Sequence, residues 1–184
     1  KIQKGTWIEM RHLIDFGDLT RAEWEALYQR CSAIMDHPAD FMDACRGRVM
    51  ASLFYEPSTR TNFSFQAAML RGGGTVFGFA DPRSTSTAKG ETLKDTIKMV
   101  SGYADVVVMR NPKEGAAKAA SLYSNVPVIN AGDGGHMHPT QTTADLTTIT
   151  RLRGSVDGLS VGLCGDLKNG RTVHSLIKAL AKFE

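Results

Sequence analysis

Apolar residues fall into two alternating rhythms along this chain. Between residues 21 and 36, Trp24, Leu27, Tyr28, Cys31, Ile34 and Met35 recur every three or four positions, the spacing of one helix face. Thr20 and Glu23 stand at its start as a capping box, so the pattern predicts a helix over 21–36. The apolar run Val49–Tyr55 predicts a strand. A helix follows Ser58 and stops at the triplet Gly72-Gly73-Gly74. From there the rhythms alternate: strands are predicted at 75–79, 104–109, 126–130 and 159–164, and helices at 91–101, 114–122, 139–152 and 171–183. Apolar strands alternating with helices predict an α/β fold, a parallel sheet flanked by helices.

The loop Arg153–Gly158 follows a long helix and precedes a fresh strand, which marks a domain boundary. One unit is expected over 1–152 and the start of a second α/β domain over 153–184. A single strand and helix are too little to bury a core or to satisfy strand edges, so the second unit is expected to be truncated. Internal repeats and low-complexity tracts are absent.

Composition narrows the function classes. With 184 residues, 42% hydrophobic and 22% charged, the chain reads as an ordinary globular protein. Its net charge of +3 is mild, and the cations are scattered rather than gathered on one face, which argues against nucleic acid. No run reaches the roughly 18 apolar residues of a membrane span, and Lys1–Met10 lacks the apolar stretch of a signal peptide. Cys31, Cys45 and Cys164 are odd in number and show no C-x-x-C spacing, so neither disulfides nor a metal site is expected; a reducing, cytoplasmic setting is.

The chemistry gathers where predicted strands end. In open parallel sheets, ligands bind outside the carboxyl ends of the strands. The first strand turns abruptly into a helix through Phe-Tyr-Glu-Pro-Ser-Thr-Arg-Thr, residues 54–61, leaving first-turn N–H groups free for an anion. Ser58, Thr59 and Thr61 add hydroxyls there, and Arg60 adds a fixed-charge fork suited to phosphate. The second strand leads into a Ser/Thr-rich loop with Lys89. The third ends at Arg110. The fourth runs through Gly132–Gly135 into His138 and Gln141, and the fifth into Arg171.

Each of these has an ordinary explanation. Ser58 and His138 are also plausible helix caps, Arg110 a partner for Glu114, Lys89 a solvated charge, Gln141 a surface residue, and Gly132–Gly135 a flexible turn. His12, His37, His136 and His174 show no functional pattern. The glycines between Gly162 and Gly170 have the wrong spacing for a dinucleotide fingerprint. Joint placement at successive strand ends is what singles the set out.

Together the segments Phe-Tyr-Glu-Pro-Ser-Thr-Arg-Thr, Ser-Thr-Ala-Lys-Gly-Glu-Thr-Leu, Val-Val-Met-Arg-Asn-Pro, Asn-Ala-Gly-Asp-Gly-Gly, His-Pro-Thr-Gln-Thr and Gly-Asp-Leu-Lys-Asn-Gly-Arg-Thr-Val-His-Ser resemble the aspartate carbamoyltransferases, in order and from about residue 10 onward. The resemblance implies a carbamoyl-phosphate-binding domain over 1–152 and the beginning of an aspartate-binding domain over 153–184. It implies that Ser58, Thr59, Arg60 and Thr61 hold the phosphate of carbamoyl phosphate. Arg110, His138 and Gln141 would surround the carbamoyl group. Arg60, Lys89, Arg110 and His138 would be catalytic, and Lys89 and Arg171 would bind L-aspartate.

The resemblance further implies a homotrimer with shared active sites. Lys89 and one hydroxyl of Ser84, Thr85 or Ser86 would come from a neighbouring subunit. Regulatory subunits are a possible further partner, and no cofactor or metal is needed. Lys89 favours the aspartate enzyme over the ornithine enzyme. Asn62 departs from the pattern, which carries arginine there, at a position expected to be peripheral. The implied reaction moves a carbamoyl group to the amine of aspartate, giving N-carbamoyl-L-aspartate and phosphate in pyrimidine biosynthesis. The alternatives are another acceptor such as ornithine, or a catalytically incomplete carbamoyl-phosphate-binding, trimer-forming module.

Overall fold

A computed structural model describes residues 10–184. Nearly all of the N-terminal stretch read above for a signal peptide, Lys1–Met10, therefore lies outside the described residues. Four strands, β1 (Val49–Phe54), β2 (Thr75–Phe79), β3 (Val106–Asn111) and β4 (Val128–Asp133), form one parallel sheet in the order β2-β1-β3-β4. Six helices connect and flank them: α1 (Arg21–Asp36), α2 (Thr59–Arg71), α3 (Leu93–Val100), α4 (Ala116–Ser121), α5 (Pro139–Arg153) and α6 (Arg171–Leu180). The capping box of α1 is present with both of its hydrogen bonds, Thr20 to the Glu23 N–H and Glu23 back to the Thr20 N–H.

The central strands explain why the apolar runs are continuous. On one face of the sheet, Ala51, Leu53, Val107 and Met109 pack with Ile97, Ala117, Ala120 and Val128. On the other, Met50, Phe54, Val108 and Ala131 pack with Met69. Strands covered on both sides carry near-continuous apolar runs. The expectation fails for β2. It is the edge strand, most of its residues are exposed, and Phe77 is 37% exposed.

A second departure concerns 159–164, predicted as a strand. These residues pair with no strand and lie partly or wholly exposed. Apolar character does not make a strand without a neighbour to take its N–H and C=O groups. The stretch instead leads to α6, which packs on α5 and the residues around Phe16. Phe16, Trp24, Leu146, Val156 and Ala179 form a buried cluster there. Lys178 pairs with Asp15 at 3.1 Å, and Arg21 with Asp157.

Before α1, Leu13 lies parallel to Ile129 on the outer side of β4. Its N–H donates to Val128 O at 2.9 Å, and its carbonyl accepts from Asn130 N at 2.8 Å. This segment closes the edge of the sheet opposite β2. Among the described residues, no helix is long and apolar enough to cross a membrane, and no cluster of His, Cys, Asp and Glu could hold a metal ion.

Candidate functional site

The carboxyl ends of β1, β3 and β4 open onto one region. After Phe54 the chain turns through Glu56 and Pro57 into α2, with Ser58 as the cap residue. The Ser58 hydroxyl makes no capping bond, although its backbone carbonyl accepts the first hydrogen bond of the helix, from Asn62 N at 3.1 Å. Thr59 and Arg60 are exposed, and Ser58 and Thr61 are half-buried. Open N–H groups, three hydroxyls and a guanidinium at a helix start are suited to an anion.

Arg110 stands at the end of β3 and Arg171 opens α6. Arg110 Nε donates to Glu56 Oε1 at 2.6 Å, and one of its Nη atoms to Ala131 O at 3.4 Å. Arg171 donates to the same Glu56 oxygen at 3.2 Å. The pairing of Arg110 with Glu114 expected from sequence proximity is not the one formed. The other terminal nitrogen of Arg171, Nη1, is buried and has no hydrogen-bond partner among the described residues.

Gly132 explains how two guanidiniums fit side by side. Its φ is +118°, and a Cβ there would lie 3.0 Å from Arg171 Nη1 and 3.4 Å from Arg110 Nη1. Two cations so close repel. Glu56 offsets one of the two charges, which leaves a net positive charge with an unpaired donor. An anion completes such a site.

His138 caps α5 through its backbone position, but its side chain makes no capping bond. Its N–H donates to Ser175 Oγ on α6 at 2.7 Å, and the residue is only 8% exposed. Burial pushes the imidazole pKa down from its usual 6.5 to about 4, and Arg110 and Arg171 push the same way against a weaker pull from Asp133. The ring is neutral at physiological pH and can donate a hydrogen bond without carrying charge. A hollow of about 300 Å³ joins it to Thr61, Ser64, Phe65, Thr140 and Gln141. Gln141 itself is exposed and donates to Asp145 at 2.9 Å.

Sequence-predicted residues thus converge in two neighbouring groups: Thr61, His138 and Gln141 around the hollow, and Arg110 with Arg171 around Gly132. Lys89 joins neither. It sits exposed on a single helical turn, Ser86–Lys89, beyond the edge strand. Ser84, Thr85 and Ser86 line a separate hollow with Leu53, Phe79 and Thr96. The Ser84 and Thr85 hydroxyls donate within their own loop, to Asp81 O and Pro82 O, both at 2.7 Å.

Other residues had no sequence signal strong enough to single them out. Glu56 is the carboxylate that gathers both arginines. Asp133, 1% exposed, accepts from Gly115 N at 2.9 Å, Asn130 Nδ2 at 3.0 Å and Met137 N at 3.0 Å, and so fixes the loop that delivers His138. Asn62 is a correction: it is not peripheral but 5% exposed, packed between α2 and β1.

Comparison with known proteins gives a consistent result. Residues 11–151 match the family described as aspartate/ornithine carbamoyltransferase, carbamoyl-P binding domain. The aspartate carbamoyltransferase catalytic subunit of Clostridium perfringens is 55% identical over 177 residues, which cover 96% of this chain and 58% of the relative. A crystal structure of aspartate transcarbamoylase from Trypanosoma cruzi, in complex with carbamoyl phosphate and aspartate, superposes with a TM-score of 0.89 at 42% identity, covering 94% of this chain and 55% of that one. The catalytic subunit of M. jannaschii aspartate transcarbamoylase superposes with a TM-score of 0.87 at 50% identity, covering 95% and 58%. The chain thus spans under two thirds of the length of each of these relatives.

Proposed function

The chain belongs to the aspartate/ornithine carbamoyltransferase family, and from that premise we propose that it carries the carbamoyl-phosphate half of an aspartate carbamoyltransferase. The observation that carries the reading is the Arg110–Glu56–Arg171 arrangement beside an open anion cradle, with an unpaired buried donor on Arg171.

Ser58, Thr59 and Thr61, with the first-turn N–H groups of α2 and Arg60, hold the phosphate. Arg110, His138 and Gln141 surround the carbamoyl group. The aspartate amine, uncharged, attacks the carbamoyl carbon; a C–N bond forms and the carbonyl oxygen takes up negative charge. Neutral His138 and cationic Arg110 donate to that oxygen. The carbonyl then re-forms as the C–O bond to phosphate breaks, Arg60 and Arg110 offset the charge of the departing phosphate, and the amine's proton passes to that phosphate or to water. The products are N-carbamoyl-L-aspartate and phosphate. Holding the two reactants together supplies much of the acceleration, so the step calls for neither metal nor cofactor.

Arg171 is suited to a carboxylate of the acceptor, which favours aspartate over ornithine. Lys89, exposed and outside both groups of site residues, fits donation to a neighbouring copy, as in a homotrimer with shared sites. Lys89 there would act in catalysis and in holding aspartate. Residues 1–152 then form the carbamoyl-phosphate domain and 153–184 the beginning of the aspartate domain. The relatives' designation as catalytic subunits supports regulatory subunits as further partners. Three unpaired cysteines, Cys31, Cys45 and Cys164, suit a cytoplasmic setting.

Phosphate release from carbamoyl phosphate by the full-length protein, with L-aspartate and then L-ornithine as acceptor, tests the reading. Aspartate-dependent release is expected. Faster release with ornithine overturns the choice of acceptor, and no release with either overturns the reaction.

A further inference from the structure

We propose that Asn62 is a positioning residue for the phosphate cradle, acting through a buried hydrogen-bonded clasp with Ser52; the inference rests on the carbamoyl-phosphate reading above. Ser52 lies in the middle of β1 and is 2% exposed. Its Oγ donates to Asn62 Oδ1 at 2.8 Å, and Gln66 Nε2, one turn further along α2, donates to the same oxygen at 2.7 Å. The backbone N–H of Asn62 donates to Ser58 O at 3.1 Å. One residue therefore closes the first turn of α2, whose open N–H groups and hydroxyls make the cradle, and ties that turn to the central strand.

The cradle needs such an anchor. The Ser58 side chain makes no capping bond, and Arg60 is exposed, so neither fixes the turn before an anion arrives. The clasp does so with neutral groups. The acceptor matters: an arginine at position 62, for example, would bring five donors and no acceptor. It cannot receive the Ser52 and Gln66 hydrogens that meet on the Asn62 carbonyl oxygen.

Calorimetric titration with carbamoyl phosphate and with inorganic phosphate tests the proposal, using wild type, Asn62→Ala, Ser52→Ala, the double variant and Arg60→Ala. Ser52→Ala, which loses one buried hydrogen bond, is expected to bind both ligands about tenfold more weakly, and Asn62→Ala at least as weakly, since it also releases Gln66. The double variant should lose no more than Asn62→Ala alone, because the Ser52 hydroxyl acts only through Asn62. In the full-length enzyme, kcat at saturating carbamoyl phosphate and the KM for aspartate should stay at wild-type values, which general destabilisation would not leave intact. Ser52→Ala removes one oxygen from a strand and keeps the test available if Asn62→Ala folds poorly. Wild-type affinity in either single variant, or additive losses in the double, overturns the proposal. If those variants bind normally while Arg60→Ala does not, the cradle stands and the clasp falls. If wild type binds neither ligand, the carbamoyl-phosphate reading falls with it.

Discussion

Arg110 and Arg171 share a single oxygen atom, Oε1 of Glu56, at 2.6 and 3.2 Å. The three side chains come from residues 54 and 115 positions apart in sequence, and all are largely sheltered, with side-chain exposures of 13%, 22% and 21% for Arg110, Arg171 and Glu56. One carboxylate holding two cations at a strand-end opening sets both their spacing and the net charge of the site.

Glu56→Gln keeps the acceptor oxygen and removes the charge. A hydrogen bond to a charged group contributes about 1.5–3 kcal/mol, so the full-length enzyme is expected to lose ten- to a hundredfold in kcat/KM for aspartate. Carbamoyl-phosphate affinity should fall as well, since Glu56 also holds Arg110, which faces the carbamoyl group. Steady-state kinetics read both. Wild-type kcat/KM in the variant would remove Glu56 from the site.

Gly132→Ala tests the close approach of the arginines. The new Cβ would meet Arg171 Nη1 at 3.0 Å, in a backbone conformation with φ of +118° that alanine rarely adopts. Activity should fall by at least about a hundredfold while the chain still folds, because the flexible guanidinium yields before the sheet does. A variant with normal aspartate turnover would show that Arg171 is free to sit elsewhere.

Arg60→Ala separates function from stability. The side chain is exposed, so the melting temperature should stay within about 1–2 °C of wild type, as for most surface changes. Phosphate release should drop by at least about a hundredfold, the usual cost of removing one pre-positioned charge stabiliser. Normal turnover would defeat the cradle.

His138 links the site to pH. Its folded pKa of about 4 lies below the 6.5 of the unfolded chain. Above pH 6.5 both states hold the ring neutral and its contribution is complete. As pH falls from 6.5 towards 4, the unfolded chain takes the proton first, and stability on the order of 3 kcal/mol is lost. Urea unfolding at pH 7.5, 5.5 and 4.5 should show a steeper decline in wild type than in His138→Asn. In the rate profile this group should give no acid limb near 6.5. Equal declines in the two proteins would contradict the buried, neutral ring.

Much of this arrangement was legible from residue order. The Thr20–Glu23 box, the helix between Ser58 and Gly72, and the alternation that builds a parallel sheet are local patterns, and each lies where local chemistry puts it. Other features depend on partners distant in sequence. Thr75–Phe79 looks like a core strand until its place at the sheet edge is known. Leu159–Cys164 is apolar enough for a strand but finds no neighbour. Arg110 had a sequence-near acid in Glu114, yet the fold supplies Glu56 from another strand end. Asn62 read as peripheral because nothing local reveals that Ser52, ten residues earlier, points at it from β1.

Leu13, hydrogen-bonded to Val128 and Asn130, imposes an order on biosynthesis. The segment around Leu13 cannot take up this pairing until residue 130 has also emerged. At about 5–20 residues per second, that segment waits on the order of ten seconds. During that interval the outer edge of the nascent sheet has no strand to cover it. This edge of the sheet is thus closed by a segment made well before the strand it covers.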